Sequence, residues 1–361
     1  MDFLFTPEQD EAAELAASIL ADHTGNDRLK AVEAAGDRFD RDLWGQLASS
    51  GLLSLHLPEQ YDGAGLGLIE LARILVEVGQ RVAPVPLAVH GASTYLLASV
   101  GSDAQRSTWL PRAAAGQAVL SAAVAEAHDH LPSAPTVTVD AAGAVTGTKT
   151  LVRAGMTADA LLVTATGPDG RVGVHLVEAS AAGVVREAQR TSDGDAAALV
   201  TFTGAPGEQV GGDGTAVVLA ELLIACAAAE QLGVTEGALR LTAEYAKSRE
   251  QFGRPIGTFQ AVSQRLADGF IDVLGQRLTL WQAVWRLAEG LPAAQEAATA
   301  KLWAADAGHR LAHTTVHVHG GVGIDLDGEA HRYFTAAKRF EFLFGGATEQ
   351  ALAIGRSFAA V

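Results

Sequence analysis

The period of the hydrophobic residues changes twice along this chain, and that change limits the folds open to it. Up to about residue 117 the spacing is helical: Thr6, Pro7 and Gln9 form a capping-box start, and IELARILVEVGQ (69–80) forms an amphipathic helix. From about 120 to 208 the pattern consists of short alternating or β-branched runs separated by Gly, Asp and Pro, which is typical of strands. The runs are TVTVD, AVTGTKTLV, ALLVTAT, VGVHLVEA and ALVTFTG. Long helices rich in Ala and Leu return from about 213.

This order predicts an α+β chain of three domains. We expect an N-terminal helical domain over 1–117, a small β-domain over 118–208 and a C-terminal four-helix-bundle domain over 209–361. A chain of 361 residues, 48% of them hydrophobic, supplies enough core for that number of packed units.

Charge and cysteine content argue against several functional classes. The formal net charge of -16 argues against a nucleic-acid partner, because phosphate binding needs a basic surface. Cys226 is the single cysteine, which excludes a disulfide within the chain, and its apolar surroundings predict a buried structural thiol. The start MDFLFTPEQDE lacks a basic segment and a long apolar run, and no later run was expected to span a membrane. We therefore expect a cytosolic protein.

The run YAKSREQFGRPIGTFQ (245–260) ends a long helical pattern with a basic, aromatic and turn-forming segment. Arg249 precedes Phe252 by three residues, so a guanidinium that can grip pyrophosphate oxygens in two-point contact lies near a ring that can pack on a planar ligand. Gly253 and Pro255 interrupt the helix, and Thr258 is expected to cap the next one. The run predicts a site for a planar anionic ligand.

This run closely resembles the Arg-x-x-Phe-Gly signature of the acyl-CoA dehydrogenase family. PEQYDGAGLG (58–67) resembles the family's N-terminal Pro-Glu-x-x-Gly-Gly-x-Gly turn, and VHVHGGVGIDLDGEAHRYFTAAK (316–338) resembles its C-terminal Gln-x-x-Gly-Gly-x-Gly segment. The three motifs stand in family order, and the resemblance covers nearly the whole chain. The resemblance implies an architecture of a helical domain, a β-domain and a second helical domain. It also implies FAD as cofactor and desaturation of an acyl-CoA thioester, with the electrons passed to an electron-transfer acceptor.

The resemblance also implies which residues contact FAD. In the family, the matching positions reach the pyrophosphate and adenosine end of the FAD bound by a neighbouring subunit. In this chain they are Arg249, Gln251, Phe252, Gln260, His317, Gly320 and Gly321, with His317 replacing the usual glutamine.

The catalytic base that the family needs is missing from its expected positions. Removal of the α-proton of an acyl thioester requires a carboxylate beside the flavin. Counting from Gly320 and Gly321 puts Phe344 at the usual glutamate position, and Leu223 stands at the alternative position on the preceding helix. We therefore assign no catalytic residue to this chain.

The β-domain departs from the family in the same direction. The loop that holds flavin and thioester, usually Thr-Glu-Pro-x-Ala-Gly-Ser-Asp, keeps only Glu126 within 125–130. The Trp-Ile-Thr-Asn strand that backs the flavin ring becomes Leu151, Val152, Arg153 and Ala154. The half of the site that serves a neighbour's FAD is retained, whereas the half that serves the chain's own flavin is lost.

This asymmetry resembles the base-lacking subunit of actinobacterial heteromeric acyl-CoA dehydrogenases. That resemblance implies an α2β2 assembly with a related subunit that carries the catalytic glutamate, acting on CoA esters of steroid side chains. Two alternatives stay open. The chain is a self-sufficient homomeric dehydrogenase with a displaced base, Glu221 or Glu341, or it is a non-catalytic acyl-CoA-binding or interaction protein.

Several residues have simpler explanations. His309, His313, His317 and His319 recur at helical spacing, but no acidic or thiolate residue completes a metal site with them, so we predict no metal. His128 and His130 fall in a predicted loop and are expected to be solvated. Arg249 itself has an alternative explanation, an ion pair on the helix surface with Glu244 or Glu250.

Overall fold

The structure, a computed structural model, describes residues 4–359. Six α-helices and a 3-10 turn come first in these residues. They are α1 (Pro7–His23), α2 (Asn26–Ala35), α3 (Arg41–Ser49), the turn Glu59–Tyr61, α4 (Leu68–Gln80), α5 (Leu87–Val100) and α6 (Asp103–Ala114).

Eight strands follow, separated by loops. They are β1 (Leu120–Ala123), β2 (Thr138–Val139), β3 (Ala144–Val152), β4 (Ala160–Thr166), β5 (Val172–Glu178), β6 (Val184–Gln189), β7 (Ala197–Pro206) and β8 (Glu208–Val210).

The last third is helical apart from one short hairpin. It contains α7 (Thr215–Ser248), the hairpin strands β9 (Glu250–Gln251) and β10 (Arg254–Pro255), the 3-10 turn Ile256–Thr258, α8 (Gln260–Ala288), α9 (Ala294–His319), the 3-10 turn Gly320–Ile324, α10 (Ala330–Phe342) and α11 (Ala347–Ala359). The three-domain division at 1–117, 118–208 and 209–361 stays a prediction.

The chain divides into two compact units. The bundle unit comprises the chain up to Ala31, Ala72–Ala83 and the chain from Ala227 onwards. The sheet unit comprises Val32–Leu71 and Pro84–Cys226.

The sheet unit contains one sheet of eight strands in the order β6-β7-β3-β2-β4-β5-β8, with β1 added to β4 in parallel. Its core consists of small and β-branched side chains, as expected for strands that pack closely. Core members include Val137, Val145, Val152, Leu161, Val163, Val177, Val200 and Phe202. Lys149 is an exception, because it is fully buried on β3.

The bundle unit is arranged around α9, which contacts α8, α10 and α11. Two glycines allow the end of α4 to approach the middle of α7. A Cβ added to Gly79 would lie 1.9 Å from the carbonyl oxygen of Glu230, and one added to Gly233 would lie 1.9 Å from that of Val76. Any larger residue at either position would separate the two helix segments.

The sequence predicted most of these elements. The capping box at Thr6 and Gln9 is present, and strands over 144–152 and 160–166 have the expected bounds. The expectation that Thr258 caps α8 is wrong: Phe259 holds the cap position, and the Thr258 hydroxyl donates to the Pro255 carbonyl at 2.7 Å. Thr258 instead lies in the 3-10 turn that precedes the helix, and its hydroxyl bonds within that turn region.

One helix differs from the expectation that no run of the chain reaches the length and apolar content of a membrane span. Helix α7 is long and apolar enough to cross a membrane by length and composition, with a mean hydropathy of 1.8 in its most apolar window. Of that window 78% is buried inside the protein, as in the core helix of a soluble protein. Cys226, in this helix, is buried as expected.

Candidate functional site

Arg249 and Phe252 lie on a tight hairpin at the end of α7. Strands β9 and β10 pair in antiparallel register, with Arg254 opposite Gln251. The turn between them has positive φ at both residues, 54° at Phe252 and 74° at Gly253, which is the geometry of a two-residue hairpin turn. The Arg249 amide donates to the Tyr245 carbonyl at 2.8 Å, and the Ile256 amide donates to the Arg249 carbonyl at 2.8 Å. The backbone around Arg249 is therefore fixed on both sides.

The Arg249 side chain is exposed and has no partner within residues 4–359. It forms no ion pair or side-chain hydrogen bond in that part of the chain, whereas Glu244 pairs with Lys247 at 3.8 Å. The explanation of Arg249 as one half of a local ion pair with Glu244 or Glu250 is wrong. A guanidinium held on a fixed backbone with its donors free is available to an anion from outside.

Phe252 is also presented outward. Its side chain is 92% exposed, and its ring meets that of Phe259 edge-on with centroids 6.1 Å apart. The Arg254 guanidinium lies over the Phe259 ring, 4.3 Å from its centroid. A bulky residue with positive φ and an uncovered ring is unusual, and such residues cluster where something else binds.

The second predicted segment follows α9. His317 is exposed on the last turn of this helix, and Gly320 ends it with φ of 64°. No heavy atom lies within 4 Å of a Cβ built on Gly320 or Gly321, so the surface above this turn is open. Tyr245 and His319 stack with ring centroids 4.3 Å apart, which brings the end of α7 and the end of α9 together. Gln260, the first residue of α8, is exposed.

Phe344 occupies a closed turn. It follows α10 with φ of 58°, is 6% exposed, and its carbonyl accepts a hydrogen bond from the Gln350 side chain at 2.9 Å. The Glu349 carboxylate accepts from the Gly346 amide. Buried Lys301 donates to the carbonyls of Phe340 at 2.9 Å and Glu341 at 3.2 Å, and burial lowers the pKa of Lys301 to about 7. Residue 344, where the family resemblance implies the catalytic base, is therefore a phenylalanine in a closed turn.

Glu341, a candidate displaced base, is held in an ion pair. Its carboxylate accepts from Lys338 Nζ at 2.7 Å and lies 3.1 Å from His309 Nδ1. Burial raises the pKa of Glu341, but hydrogen bonds from Lys338 and His309 outweigh it and leave the pKa below its usual range. A general base works best with a pKa near the working pH, so this arrangement opposes the role.

The other candidate positions lie on α7 in the sheet unit. Leu223 is 1% exposed, and Glu221 is half-buried. Two residues along a helix turn the side-chain direction by about 200°, so Glu221 does not replace a carboxylate at 223.

Glu126 has a structural role in the sheet unit. Its carboxylate accepts from Lys149 Nζ at 2.9 Å, from the Thr136 amide at 2.8 Å and from the Val137 amide at 3.1 Å. Burial raises the pKa of Glu126, yet the hydrogen bonds from Thr136 and Lys149 lower it to about 2. The carboxylate fixes the loop that carries exposed His128 and half-exposed His130.

Arg153 is buried where the resemblance implies a strand that backs the flavin ring. It is 3% exposed, and its Nε donates to Asp195 at 3.1 Å. A second pair, Arg38 and Asp193 at 3.7 Å, lies in the same part of the unit. The two arginines, Asp195 and Thr157 line a small polar pocket. Sequence reasoning missed both pairs, because 42 residues separate Arg153 from Asp195.

Three of the histidines of α9, His309, His313 and His319, have individual partners. His309 contacts Glu341, the His313 ring meets the Phe334 ring edge-on with centroids 5.4 Å apart, and His319 stacks on Tyr245. No group of three or more His, Cys, Asp or Glu side chains with metal-binding geometry occurs in the part of the chain that the structure describes.

Comparison with known proteins identifies the family. The model "Acyl-CoA dehydrogenase, N-terminal domain" matches residues 6–117, and "Acyl-CoA dehydrogenase, C-terminal domain" matches residues 212–358. Acyl-CoA dehydrogenase FadE27 of Mycobacterium tuberculosis is 43% identical to this chain, with 99% of each covered. The chain belongs to the acyl-CoA dehydrogenase family. FadE28 of the same organism, also an acyl-CoA dehydrogenase, is 32% identical over 98% of each chain.

Two solved structures are similar to this chain over nearly its full length. One is a chain of the ChsE4-ChsE5 complex from Mycobacterium tuberculosis, with 42% identity, a TM-score of 0.95 and 100% of each chain covered. The other is a chain of the Tcur3481-Tcur3483 steroid ACAD, with 40% identity, a TM-score of 0.94 and 98% of each chain covered. They confirm the family resemblance and the α+β fold.

FAD is the cofactor of acyl-CoA dehydrogenases, and this chain fits one end of it better than the other. The free guanidinium of Arg249 suits a diphosphate, and the open turn at Gly320 and Gly321 leaves room for a close approach. By contrast, buried Arg153, already paired with Asp195, offers a flavin ring neither a stacking surface nor a free donor.

Proposed function

We propose that this chain is the subunit of a heteromeric acyl-CoA dehydrogenase that lacks the catalytic base and completes the FAD site of a related partner subunit. The observation that carries the proposal is the exposed Arg249 guanidinium, which has no hydrogen-bond or ion-pair partner within residues 4–359 and stands on a fixed hairpin beside exposed Phe252. These groups have the chemistry of a diphosphate and planar-ligand site without the rest of a site around them.

In the proposed assembly each residue has a definite task. Arg249 grips the pyrophosphate of FAD bound by the partner, while Phe252 and Gln251 cover the adenosine end from the hairpin. Gln260, His317 and the turn at Gly320 and Gly321 complete the wall, as the family resemblance implies. FAD, if held there, would supply the hydride acceptor for oxidation at the β-carbon of the thioester. The partner's glutamate removes the α-proton.

The same proposal accounts for the lost half of the site. Phe344 is buried and apolar, Leu223 is buried, and Glu341 is neutralised by Lys338 and His309. A carboxylate free to take a proton is therefore absent from positions 344, 223 and 341. We infer one functional active site per pair of subunits, an α2β2 assembly, and no turnover by this chain alone.

The substrate that we propose is the CoA thioester of a steroid side chain, desaturated between its α- and β-carbons. The supporting observation is similarity: the Tcur3481-Tcur3483 steroid ACAD shares 40% of its residues over 98% of the chain. We further propose that the assembly acts in the cytosol.

Flavin content tests the proposal. The chain is purified alone and after co-expression with each acyl-CoA dehydrogenase paralogue of its source genome that carries the glutamate. We expect a colourless protein alone and one FAD per pair of subunits with the correct partner, together with α,β-desaturation of a steroid side-chain CoA ester. Stoichiometric FAD and turnover in the chain alone would establish the homomeric alternative. Absence of FAD in every combination would leave the non-catalytic binding protein.

A further inference from the structure

The two segments of the proposed FAD surface are far apart in sequence, and a stacked ring pair joins their ends. Tyr245 lies on the last turn of α7, one turn before Arg249, and His319 is the last residue of α9, directly before Gly320. Their rings stack with centroids 4.3 Å apart and planes 22° apart. We propose that Tyr245 and His319 are positioning residues, which hold the Arg249 hairpin in register with the Gly320 turn for FAD. This inference rests on the proposed function.

The contacts of Tyr245 lead directly to Arg249. The Tyr245 carbonyl accepts the hydrogen bond of the Arg249 amide at 2.8 Å and that of the Ser248 hydroxyl at 3.2 Å. Arg249 in turn closes the base of the hairpin through its own carbonyl, which accepts from the Ile256 amide at 2.8 Å. A shift of Tyr245 therefore moves the backbone that presents the guanidinium.

The contacts of His319 lead to the glycine turn. The His319 Nδ1–H donates to the Thr315 carbonyl at 2.8 Å, which fixes the ring plane. A Cβ added to Gly323 would lie 3.1 Å from the His319 Cβ and 2.8 Å from the Val316 carbonyl oxygen, so the turn packs directly against this end of α9. His319 is 8% exposed, with its Cβ beside the turn and its ring against Tyr245.

A matched control exists one turn deeper between the same two helices. The hydroxyls of Thr242 and Thr315 lie 3.1 Å apart and are buried. Thr242→Val removes this hydrogen bond and the one that the Thr242 hydroxyl donates to the Ala238 carbonyl at 2.6 Å, and it replaces neither ring. It separates general helix packing from the placement of the FAD surface.

The test measures FAD release from the co-purified complex by the return of flavin fluorescence on dilution. Tyr245→Leu and His319→Leu should each release FAD about three- to tenfold faster, the loss expected for one aromatic pair, whereas Tyr245→Phe should retain the wild-type rate. Thr242→Val should lower the melting temperature of the complex without changing the release rate. Unchanged release in Tyr245→Leu, or equally fast release in Thr242→Val, overturns the inference.

A double-mutant cycle distinguishes positioning from simple destabilisation. If the stack acts by placing Arg249, Tyr245→Leu should add little to the FAD loss of Arg249→Ala, because the group that it places is gone. Fully additive effects contradict the positioning role and leave the proposed function intact. FAD retention by Arg249→Ala contradicts the proposed function itself, and the positioning role falls with it.

Discussion

The Arg249 hairpin and the Phe344 turn belong to the same unit, yet they differ in how their polar groups are satisfied. The hairpin leaves the Arg249 guanidinium without a partner within residues 4–359 and exposes 92% of Phe252. Phe344, the central residue of its turn, is 6% exposed. The side chains of Gln350 and Glu349 bond to the backbone of the turn, and Lys301 bonds to the end of the helix before it.

The difference shows what each segment contributes. A bulky residue at positive φ and an exposed guanidinium without a partner among the described residues are features that cluster where another molecule binds. The turn is complete within its own unit, since the groups around it bond to one another.

The largest expected effect comes from removing the hairpin's charge. Arg249→Ala should cost the complex about 2 to 5 kcal/mol of FAD binding, because a largely buried diphosphate loses its charged partner. That loss corresponds to a rise of roughly thirtyfold or more in the Kd of the complex for FAD. Retention of flavin during dialysis measures it. Arg249→Lys should recover only part, since a point charge does not reproduce the planar fork.

Lys247→Ala provides the control for this variant. It removes one positive charge two residues away, from a side chain that is 75% exposed. Its FAD occupancy should equal that of the wild type. Full FAD occupancy in the Arg249→Ala complex would show that the hairpin is an ordinary exposed surface.

The buried turn should resist the return of a carboxylate. Phe344→Glu places an acid at a 6% exposed position without a partner, which should lower the free energy of unfolding by about 3 kcal/mol in urea titration. Phe342→Glu, at a side chain that is 55% exposed, should cost less than about 0.5 kcal/mol.

Neither Phe344→Glu nor Leu223→Glu should turn over an acyl-CoA without the partner. A base contributes only when flavin and thioester already lie within its reach. Turnover by either single variant alone would mean that the chain's own flavin pocket is intact.

The Phe344 turn should also depend on pH through Lys301. In the folded chain burial lowers the pKa of Lys301 to about 7, whereas in the unfolded chain the ammonium keeps its proton up to about 10.5. The unfolded state therefore binds more protons between these values, and stability should rise with pH in that window.

The measurement is the free energy of unfolding at pH 7.5 and 9.5 for the wild type and Lys301→Met. The wild type should gain about 2 kcal/mol relative to the variant over this interval. Parallel pH profiles would show that Lys301 keeps its proton in the fold, stabilised by the two carbonyls that it contacts.

The sequence predicted those parts of the fold that depend on local pattern. Strand β4 was predictable because ALLVTAT is a short apolar run bounded by turn residues. Strand β1 was missed because LSAA has no β-branched residue, and β6 because VVREAQ, on the edge of the sheet, is half polar.

The residues of the candidate site likewise fall into those that a local motif predicts and those that it does not. The positions expected to contact FAD came from contiguous motifs around 249 and 320. The pairs Lys149–Glu126 and Arg153–Asp195 depend on strand register, which joins residues far apart in the chain. Periodicity does not contain that information.

The smallest expected effect concerns Glu341, the carboxylate nearest in sequence to Phe344 on its N-terminal side. Its ion pair with Lys338 is only 16 to 24% exposed, so Glu341→Gln should cost about 1 kcal/mol of stability. The side-chain amide of this variant keeps an oxygen that can accept a hydrogen bond from Lys338. The variant should therefore leave FAD content and kcat of the complex unchanged, measured with a saturating acyl-CoA and an artificial electron acceptor. A base removed from the reaction typically lowers the rate by about 100-fold or more. A fall of that size with normal FAD content would make Glu341 the base, and the turn beside Phe344 would then be an active part of the catalytic site.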